Sequence, residues 1–375
     1  MVPSCPHRPP CPGCPRFGHA EPPSEPLARL KQLCERSGIE LEVRSGAYWQ
    51  FRRRARLAVR GRINSPKIGI FEEGTHRVVD IPNCLVHHPL INRVASVTKA
   101  AMRRHRIAPY SDATHRGLIR SLQVVVERQR DTAQVVVVAN DQTPQSTERL
   151  LRDLSSELGS DLHSLWWNGN TQVTNRILGD SWHRSIGPEH VEEEFGGVIV
   201  CFPPGAFGQN NAELFARVVE QVHDWIPDHR DVVELFAGAR TVGLGLAARA
   251  RSIVFNELSA DSLSGLRAGI ERLPGHQRAR TEILPGAALE AASRIDGTHT
   301  VIVDPPRKGL QSELCHRLVK SRPRQLLYIS CNVASFLTDA ELLVQREQFK
   351  LDAMQVYDLF PYTEHVETLA LFQRA

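Results

Sequence analysis

Short apolar runs alternate with segments of helical period in the second half of the chain, from Phe207 onward. The apolar runs predict strands at 231–236, 252–256, 280–284, 299–303, 325–330, 354–360 and 367–373. The segments between them predict helices at 211–225, 241–250, 259–271, 310–319 and 334–346. Such alternation is typical of a doubly wound, mainly parallel sheet. We therefore expect an α/β domain with seven strands, the last two forming an antiparallel pair at one edge.

The first 200 residues show a different pattern. An amphipathic helix is predicted from Leu27 to about Ile39, with its apolar side formed by Leu27, Leu30, Leu33 and Cys34. From there to about Val200 the pattern is mainly that of strands, interrupted by a predicted helix at 145–158. The sequence thus predicts three parts: a Cys- and Pro-rich segment at 1–26, a central α+β domain at 27–205 and the α/β domain at 206–375.

The first segment contains nine prolines and three of the eight cysteines. Proline at that density excludes helices and sheet ladders, so the segment needs something else to order it. Cys5, Cys11 and Cys14 have the spacing C-x5-C-x2-C, and Cys84 is the candidate fourth thiol of a four-thiolate site. Such a site holds either zinc or a 4Fe–4S cluster. The single C-x2-C pair favours the cluster, and a chance group of cysteines is the alternative.

The charge of the chain is modest in total, at +4, but unevenly distributed. Seven arginines and no acidic residue lie between Arg44 and Arg62, next to Tyr48, Trp49 and Phe51. A second basic group spans 103–106. Arginines mixed with aromatic side chains suit RNA, through phosphate pairing and base stacking. A solvated strand face would give the same pattern.

Two observations bear on where the protein works. No run of eighteen apolar residues is present, so we expect no membrane-spanning helix. The prolines and cysteines near the N-terminus stand where a signal peptide would need an apolar core. We therefore expect a cytoplasmic protein, whose cysteines serve metal binding or catalysis rather than disulfides.

Polar side chains follow two neighbouring strands of the predicted sheet. Asp304 begins Asp-Pro-Pro-Arg after the strand at 299–303, and Cys331 lies within Ser-Cys-Asn at the end of the strand at 325–330. Open α/β sheets place their active sites at the carboxyl ends of parallel strands. The pattern therefore indicates a carboxylate and a thiol facing one crevice. The alternative for a lone cysteine is a small buried apolar residue.

The first strand of this sheet carries a weaker cofactor signal. It runs from Asp231 through Glu234 and Phe236 into a turn of small residues around Gly238, just before a predicted helix. Small residues let backbone amides approach a ligand at a helix N-terminus. The next strand ends at Glu257, a carboxylate that could bind ribose hydroxyls. The G-x-G-x-x-G pattern of a dinucleotide site is absent.

Taken together, these motifs resemble the RNA (uracil-5-)methyltransferase family, S-adenosylmethionine-dependent enzymes that make 5-methyluridine in ribosomal and transfer RNA. The resemblance covers almost the whole chain. Besides D-P-P-R and S-C-N it includes 207–211, which resembles the family's F-x-Q-x-N motif, and 365–367, which resembles H-x-E. The spacing of the four cysteines resembles the ribosomal RNA branch that carries a 4Fe–4S cluster and lacks a TRAM domain.

The resemblance implies a Rossmann-like class I methyltransferase domain and a role for each motif. It implies Cys331 as the nucleophile and Glu367 as the general base. Contacts with the target uridine are implied for Asp304, Arg307 and Asn332. Cofactor contacts are implied for Gln209, Glu234, Phe236, Gly238, Glu257 and Asp304. The implied ligands of the cluster are Cys5, Cys11, Cys14 and Cys84.

The chemistry explains the residue types. Carbon 5 of uracil attacks a sulfonium methyl group only after a thiolate has added to carbon 6, and a base must then remove the carbon-5 proton. The implied partner is RNA, ribosomal rather than transfer RNA, with no DNA and no membrane, bound by a monomer. The target base has to leave its stack to be reached, which makes loops the natural substrate.

Arg240 departs from the family pattern, because it occupies the second glycine of the G-x-G turn. Its side chain either crowds the cofactor or pairs with the methionine carboxylate. Two alternatives remain open on sequence grounds. One is a catalytically silent RNA-binding protein that kept the fold. The other is a methyltransferase acting on an amino group, although such enzymes carry an aromatic residue where this chain has Arg307.

Overall fold

A computed structural model describes residues 4–239, 241–345 and 348–375 of the chain. The chain divides into two compact units. Of the described residues, the first unit contains those up to Gly18 together with those in the range Ala47–Val191, and the second contains His19–Gly46 together with those in the range Glu192–Ala375. The second unit is therefore assembled from two segments that are far apart in sequence.

The helices and strands have the following bounds, numbered in chain order. The helices are α1 (Ser24–Ser37), α2 (Pro89–Arg104), α3 (Glu148–Leu158), α4 (Ala212–Trp225), α5 (Ala260–Glu271), α6 (Gly275–Arg278), α7 (Ala288–Ala291), α8 (Gln311–Ser321) and α9 (Val333–Val344). The strands are β1 (Leu41–Arg44), β2 (Arg54–Arg62), β3 (Ser65–Phe71), β4 (Val78–Asp80), β5 (Ile119–Val126), β6 (Ala133–Ala139), β7 (Leu162–Gly169), β8 (Ser181–Ile186), β9 (Val191–Phe195), β10 (Val198–Phe202), β11 (Asp231–Leu235), β12 (Ser252–Glu257), β13 (Thr281–Pro285), β14 (Thr300–Val303), β15 (Gln325–Ser330), β16 (Phe349–Tyr357) and β17 (Glu367–Arg374). Within the described residues, every helix is too short or too polar to cross a membrane.

The first unit is built on a mixed sheet in the order β4-β3-β2-β5-β6-β7-β8. Its strand pairs are antiparallel, apart from β6 and β7, which run parallel. Alternate side chains of β2 and β5 pack with α2 and α3 in one apolar core. Helix α3 supplies Leu150, Leu151, Leu154 and Leu158 to this core, the spacing expected of an amphipathic helix.

The second unit contains a sheet in the order β1-β16-β17-β15-β14-β11-β12-β13. Strands β11 to β15 pair in parallel, and β17 runs antiparallel to both β15 and β16. All six residues of β15 are buried, as expected for a strand covered on both faces. The carboxyl ends of β11, β12, β14 and β15 therefore meet along one edge of the sheet.

Most of the elements predicted after residue 207 are present, and three details differ. The predicted helix at 241–250 is a 3₁₀ segment at Gly243–Ala248, within the described part of that range. Strand β16 spans Phe349–Tyr357, so it begins earlier and ends earlier than the predicted strand at 354–360 but overlaps it. The described sheet has eight strands rather than seven, because β1 pairs in parallel with β16, Leu41 lying opposite Met354.

The compact units also differ in extent from the predicted central domain at 27–205. Helix α1 inserts Leu30, Leu33 and Cys34 into the core of the second unit, which confirms its predicted apolar side. It packs against the α/β sheet rather than within the predicted central domain. Residues 19–46 and 192–205 therefore pack with the α/β sheet. The physical reason is that α1 and β1 complete the side of this sheet at which β16 lies.

Candidate functional site

The predicted nucleophile and base lie at the ends of neighbouring antiparallel strands. Cys331 directly follows β15, and Glu367 is the first residue of β17. The last paired positions are Ser330 and Thr368, and the Thr368 hydroxyl donates a 3.1 Å hydrogen bond to the Ser330 carbonyl. Cys331 and Glu367 come one position beyond this pair on their two strands. Glu367 is 1% exposed, whereas Cys331 is half-buried and thus accessible from the sheet edge.

Asp304 joins the same edge from the other side of β15. It directly follows β14, which pairs in parallel with β15, Val303 lying opposite Tyr328. Burial is the main cause of the raised pKa of Glu234, and the half-buried Asp304 lies close enough to contribute to the rise. The sheet topology thus brings Asp304, Cys331 and Glu367 to the same edge of the sheet, because β14, β15 and β17 are consecutive in it.

Asn332 has an internal role that the sequence did not indicate. Its side-chain oxygen accepts hydrogen bonds from the amides of Ala334 (3.0 Å) and Ser335 (3.4 Å), which caps α9. Its side-chain amide donates to the Arg307 carbonyl at 3.0 Å. Direct contact of Asn332 with a uridine remains a prediction. Its hydrogen bonds connect the start of α9, next to Cys331, with the D-P-P-R loop at Arg307. The Arg307 side chain is exposed and lowers the pKa of nearby His365, although burial lowers it more.

A cavity of about 490 Å³ opens at the carboxyl ends of β11, β12 and β13. Its volume lies in the range of small-molecule and cofactor sites. Among the predicted cofactor contacts, Phe236 and Glu257 line it. Its other described lining residues were not predicted: Asn256, Leu258, Ser259, Gly286, Ala287, Ala288, Leu289, Pro306, Lys308, Gly309, Leu310, Gln311, Glu313 and Leu314. Most of them lie at or just after the carboxyl ends of β12, β13 and β14, and the others begin α8; this position is the sequence signal that could have identified them.

The carboxylate of Glu257 organises two turns at the mouth of this cavity. It accepts hydrogen bonds from the amides of Gly238 (2.8 Å), Leu258 (2.8 Å) and Ser259 (2.6 Å). Gly238 has φ 65°, and Phe236 has φ 60°, so the turn after β11 doubles back in the left-handed region. An ionised carboxylate has about four acceptor sites, which leaves one for a ligand hydroxyl.

Glu234 is buried beneath the loop rather than lining the cavity described above. Its carboxylate is 1% exposed and accepts hydrogen bonds from the Thr241 hydroxyl (2.6 Å) and the amides of Val242 and Gly243 (both 2.8 Å). Burial raises the pKa of Glu234 to about 7, against the effect of these hydrogen bonds. Glu234 therefore holds the loop after β11 from the inside of the fold. Gln209 is also buried, at 7% exposure, and Arg240 lies outside the described residues.

The four predicted cluster thiols line one cavity of about 120 Å³ in the first unit, which contains Cys5, Cys11, Cys14 and Cys84. Burial and, to a smaller extent, the neighbouring thiols raise the pKa of Cys14 to about 12. Burial also raises the pKa of Cys84, an effect opposed by hydrogen bonds from two backbone amides. Over the described chain, no three His, Cys, Asp or Glu side chains come close enough together to hold a single metal ion.

The arginine-rich stretch is less available to a partner than its sequence indicates. Arg52 lines the thiol cavity. Arg53 pairs with Asp131 at 2.7 Å. In the second basic group, Arg104 forms ion pairs with Asp153 and Glu157. Parts of both basic stretches therefore serve the fold of the first unit, while the hairpin of β2 and β3 exposes other cations.

Comparisons with known proteins show which family and which fold this chain resembles. Residues 294–375 match the family model described as tRNA (uracil-5-)-methyltransferase. An uncharacterized RNA methyltransferase of Protochlamydia amoebophila is 36% identical over 99% of this chain and 97% of its own length. One of Geobacter sulfurreducens is 28% identical over 98% of this chain and 76% of that protein. A Pyrococcus abyssi tRNA (uracil-54, C5)-methyltransferase, solved with S-adenosyl-L-homocysteine, matches with a TM-score of 0.76 over 99% of this chain and 88% of that one. At 22% identity, this likeness shows the fold.

Proposed function

Because the chain belongs to the RNA (uracil-5-)methyltransferase family, we propose that it methylates carbon 5 of a specific uridine in RNA. The methyl donor is S-adenosylmethionine. The observation that carries the proposal is the register of β15 and β17, in which Cys331 and Glu367 both lie one position beyond the terminal pair of Ser330 and Thr368. A half-buried thiol beside a buried carboxylate at a sheet edge suits covalent catalysis followed by proton removal.

In the proposed reaction, the Cys331 thiolate adds to carbon 6 of the uracil, forming a carbon–sulfur bond and leaving an enolate at carbons 4 and 5. The cofactor would supply a sulfonium methyl group: carbon 5 would attack the methyl carbon, and the methyl–sulfur bond would break to release S-adenosylhomocysteine. Glu367 then takes the proton from carbon 5, and the carbon–sulfur bond breaks with its electron pair on sulfur, which restores the aromatic ring and the Cys331 thiolate. Cys331 precedes the capped start of α9, where the helix dipole favours the negative charge of a thiolate.

The cavity of about 490 Å³ fits the cofactor. The remaining acceptor capacity of Glu257 suits a ribose hydroxyl, and the apolar side chains of Leu258 and Leu289 suit the faces of an adenine ring. Glu234 acts indirectly, by holding the amides of the turn after β11. We propose that Gln209, Phe236, Gly238 and Asp304 complete the binding site, with Asp304 and Arg307 also facing the uridine.

We also propose that the thiol cavity holds a 4Fe–4S cluster. The cysteine ligands of a zinc ion lie about 2.3 Å from the metal and are therefore close together. A cluster of eight atoms is much larger than one ion, so its four cysteine ligands stand further apart. Four thiols around a cavity of about 120 Å³ fit that requirement. Arg52 would offset the negative charge of the thiolates, and backbone amides directed at Cys84 are typical of sulfur ligands in such clusters. The cluster would supply electron-transfer capacity or order this segment.

The substrate RNA is proposed to be 23S ribosomal RNA rather than transfer RNA. The support is the spacing of the four cysteines, which resembles the ribosomal RNA branch of the family. Methyl transfer to purified ribosomal and transfer RNA from cells lacking 5-methyluridine would decide between them. Labelling of transfer RNA alone would overturn the ribosomal assignment.

The covalent step is tested with RNA that contains 5-fluorouridine, because fluorine at carbon 5 blocks the final elimination. We expect a denaturation-resistant adduct from the wild-type protein and none from Cys331→Ala. Cys201→Ala is the matched control, since Cys201 is a buried cysteine of the same unit. An adduct that persists in Cys331→Ala would refute the nucleophile. Absence of S-adenosylmethionine binding in calorimetry would instead favour a silent RNA-binding protein.

A further inference from the structure

One face of α9 holds the loop that follows β14. The residues of this face, Asn332, Ser335 and Asp339, are spaced three and four apart and form the α9 stripe. The Asn332 side-chain amide and the Ser335 hydroxyl both donate to the Arg307 carbonyl, each at 3.0 Å. One turn further on, Asp339 accepts a 2.8 Å hydrogen bond from the Leu310 amide. The loop is thus hydrogen-bonded to the helix at its middle and at the end that leads into α8.

Asp339 connects this loop to the nucleophile strand as well. It is 3% exposed, and the oxygen that binds the Leu310 amide also accepts a 2.7 Å hydrogen bond from the hydroxyl of Tyr328. Tyr328 belongs to β15, three residues before Cys331. The Cys315 thiol of α8 donates to the other carboxylate oxygen at 3.5 Å. A single buried carboxylate therefore joins the loop, β15 and α8.

The fit between loop and helix is close. Gly309 has φ 76°, and a Cβ atom added there would clash with an oxygen of Asp339 and come within 3.1 Å of the Ser335 Cβ. Only glycine lets the loop lie this near the stripe without strain. The contact is consequently specified by the sequence on both sides, by glycine in the loop and by short polar residues on the helix.

The same loop forms one wall of the cavity proposed for the cofactor. Pro306, Lys308, Gly309 and Leu310 all line that cavity. The loop begins at Asp304, beside the proposed target, and Cys331 directly precedes the cap of α9. Whatever fixes the loop to α9 and β15 therefore also fixes the distance between the methyl donor and the thiol.

We propose that Asp339 is a positioning residue that sets the spacing between the cofactor cavity and Cys331. This inference rests on the proposed function. A carboxylate suits this position because its two oxygens accept hydrogen bonds from an amide, a phenol and a thiol at once. In an asparagine, the side-chain NH2 group would replace one oxygen and would point a donor at another donor. Burial and the neighbouring Asp339 raise the pKa of Tyr328, so its hydroxyl remains a donor.

The test compares Asp339→Asn with Tyr328→Phe and with Glu341→Gln, an exposed position on the same helix. Three quantities are measured on the full-length protein with 5-methyluridine-deficient RNA: affinity for S-adenosylmethionine, single-turnover methyl transfer, and exchange of the uracil carbon-5 hydrogen with solvent in the absence of cofactor. Because that exchange needs only Cys331 and Glu367, it reports on the thiol independently of the cofactor cavity.

For Asp339→Asn we expect methyl transfer to fall 10- to 100-fold and cofactor affinity several-fold, with carbon-5 exchange within about threefold of wild type. Tyr328→Phe should reduce methyl transfer three- to tenfold, and Glu341→Gln should change nothing. Equal losses of transfer and exchange in Asp339→Asn would overturn the proposal, since they would show a general disturbance of the fold.

If Asp339→Asn does not fold, Tyr328→Phe decides alone, because it removes one hydrogen bond without changing the shape of the core. Unchanged methyl transfer in that variant overturns the proposal. A wild-type protein that binds S-adenosylmethionine but methylates no RNA would contradict the proposed function. In that case the cofactor affinity of Asp339→Asn still tests the positioning role, and an affinity equal to wild type overturns it.

Discussion

Replacing Gly309 by alanine has two energetic costs, backbone strain and a steric clash with Asp339. Comparison with the same replacement at Gly38 separates them. Gly309 has φ 76°, and Gly38, at the end of α1 in the same unit, has φ 69°. An alanine in this left-handed region costs about 1–2 kcal/mol at either position. A Cβ atom at Gly38 would have no atom within 4 Å, whereas at Gly309 it would clash with Asp339. Gly38→Ala is therefore a matched control for backbone strain alone.

The additional cost at Gly309 follows from the contacts. To restore an ordinary separation, the loop would have to move away from α9 by roughly 1 Å. The 2.8 Å hydrogen bond from the Leu310 amide to the Asp339 carboxylate would then be too long to persist. A hydrogen bond to a charged group contributes about 1.5–3 kcal/mol. We expect Gly309→Ala to destabilise the loop contact by about that amount beyond the effect of Gly38→Ala.

Hydrogen exchange measured by mass spectrometry gives the local readout. A loss of about 1.5–3 kcal/mol corresponds to exchange at the Leu310 amide that is roughly 10- to 150-fold faster. Gly38→Ala should leave this amide unchanged. If both variants show the same exchange at Leu310 and the same loss of global stability, the close fit of the loop against α9 has no energetic weight, and the reasoning is refuted.

Three further predictions concern other parts of the chain. Burial raises the pKa of Glu234 from 4.5 to about 7, so the folded state holds this proton more tightly than the unfolded chain does. The free energy of unfolding should therefore be highest below pH 4.5 and fall by roughly 3 kcal/mol as the pH rises through 7. Urea denaturation at pH 5 and pH 8 should show a weaker pH dependence in Glu234→Gln. Leu258 is 74% exposed at the cofactor cavity, so Leu258→Ala should weaken S-adenosylmethionine binding in calorimetry by about 1 kcal/mol and leave the melting temperature unchanged. On the β2–β3 hairpin, replacing the exposed Arg62 and Lys67 by alanine should lower the salt dependence of RNA binding by about one unit each, whereas an unchanged slope would exclude both from phosphate contact.

The sequence predicts much of the second unit because its strands are buried on both faces. Such strands appear as uninterrupted apolar runs, as at 325–330, and their polar ends indicate the site edge directly. Strand β1 has the opposite character. It is four residues long and mostly exposed, so no alternation identifies it, and nothing local indicates that its partner is β16.

The candidate site illustrates a second limit. A motif tells which residue types lie near a ligand but not which way each side chain points. Glu234 and Asn332 both belong to such motifs, yet the carboxylate of one and the carboxamide of the other bind backbone groups of adjacent loops. Arg52 belongs to a stretch predicted to bind RNA, but its side chain lines the thiol cavity, where its charge acts on Cys84.

The pairing of β1 with β16 has a consequence for how the protein is made. Gln355 lies opposite Glu42 and donates to it a 3.0 Å hydrogen bond across 313 residues of sequence. At 5–20 residues per second, a ribosome needs roughly 15 to 60 seconds between these two strands. During that interval the apolar stripe of α1 has no completed core to enter. The N-terminal helix is therefore a natural target for chaperones during synthesis, and the first unit has time to fold before the second can close.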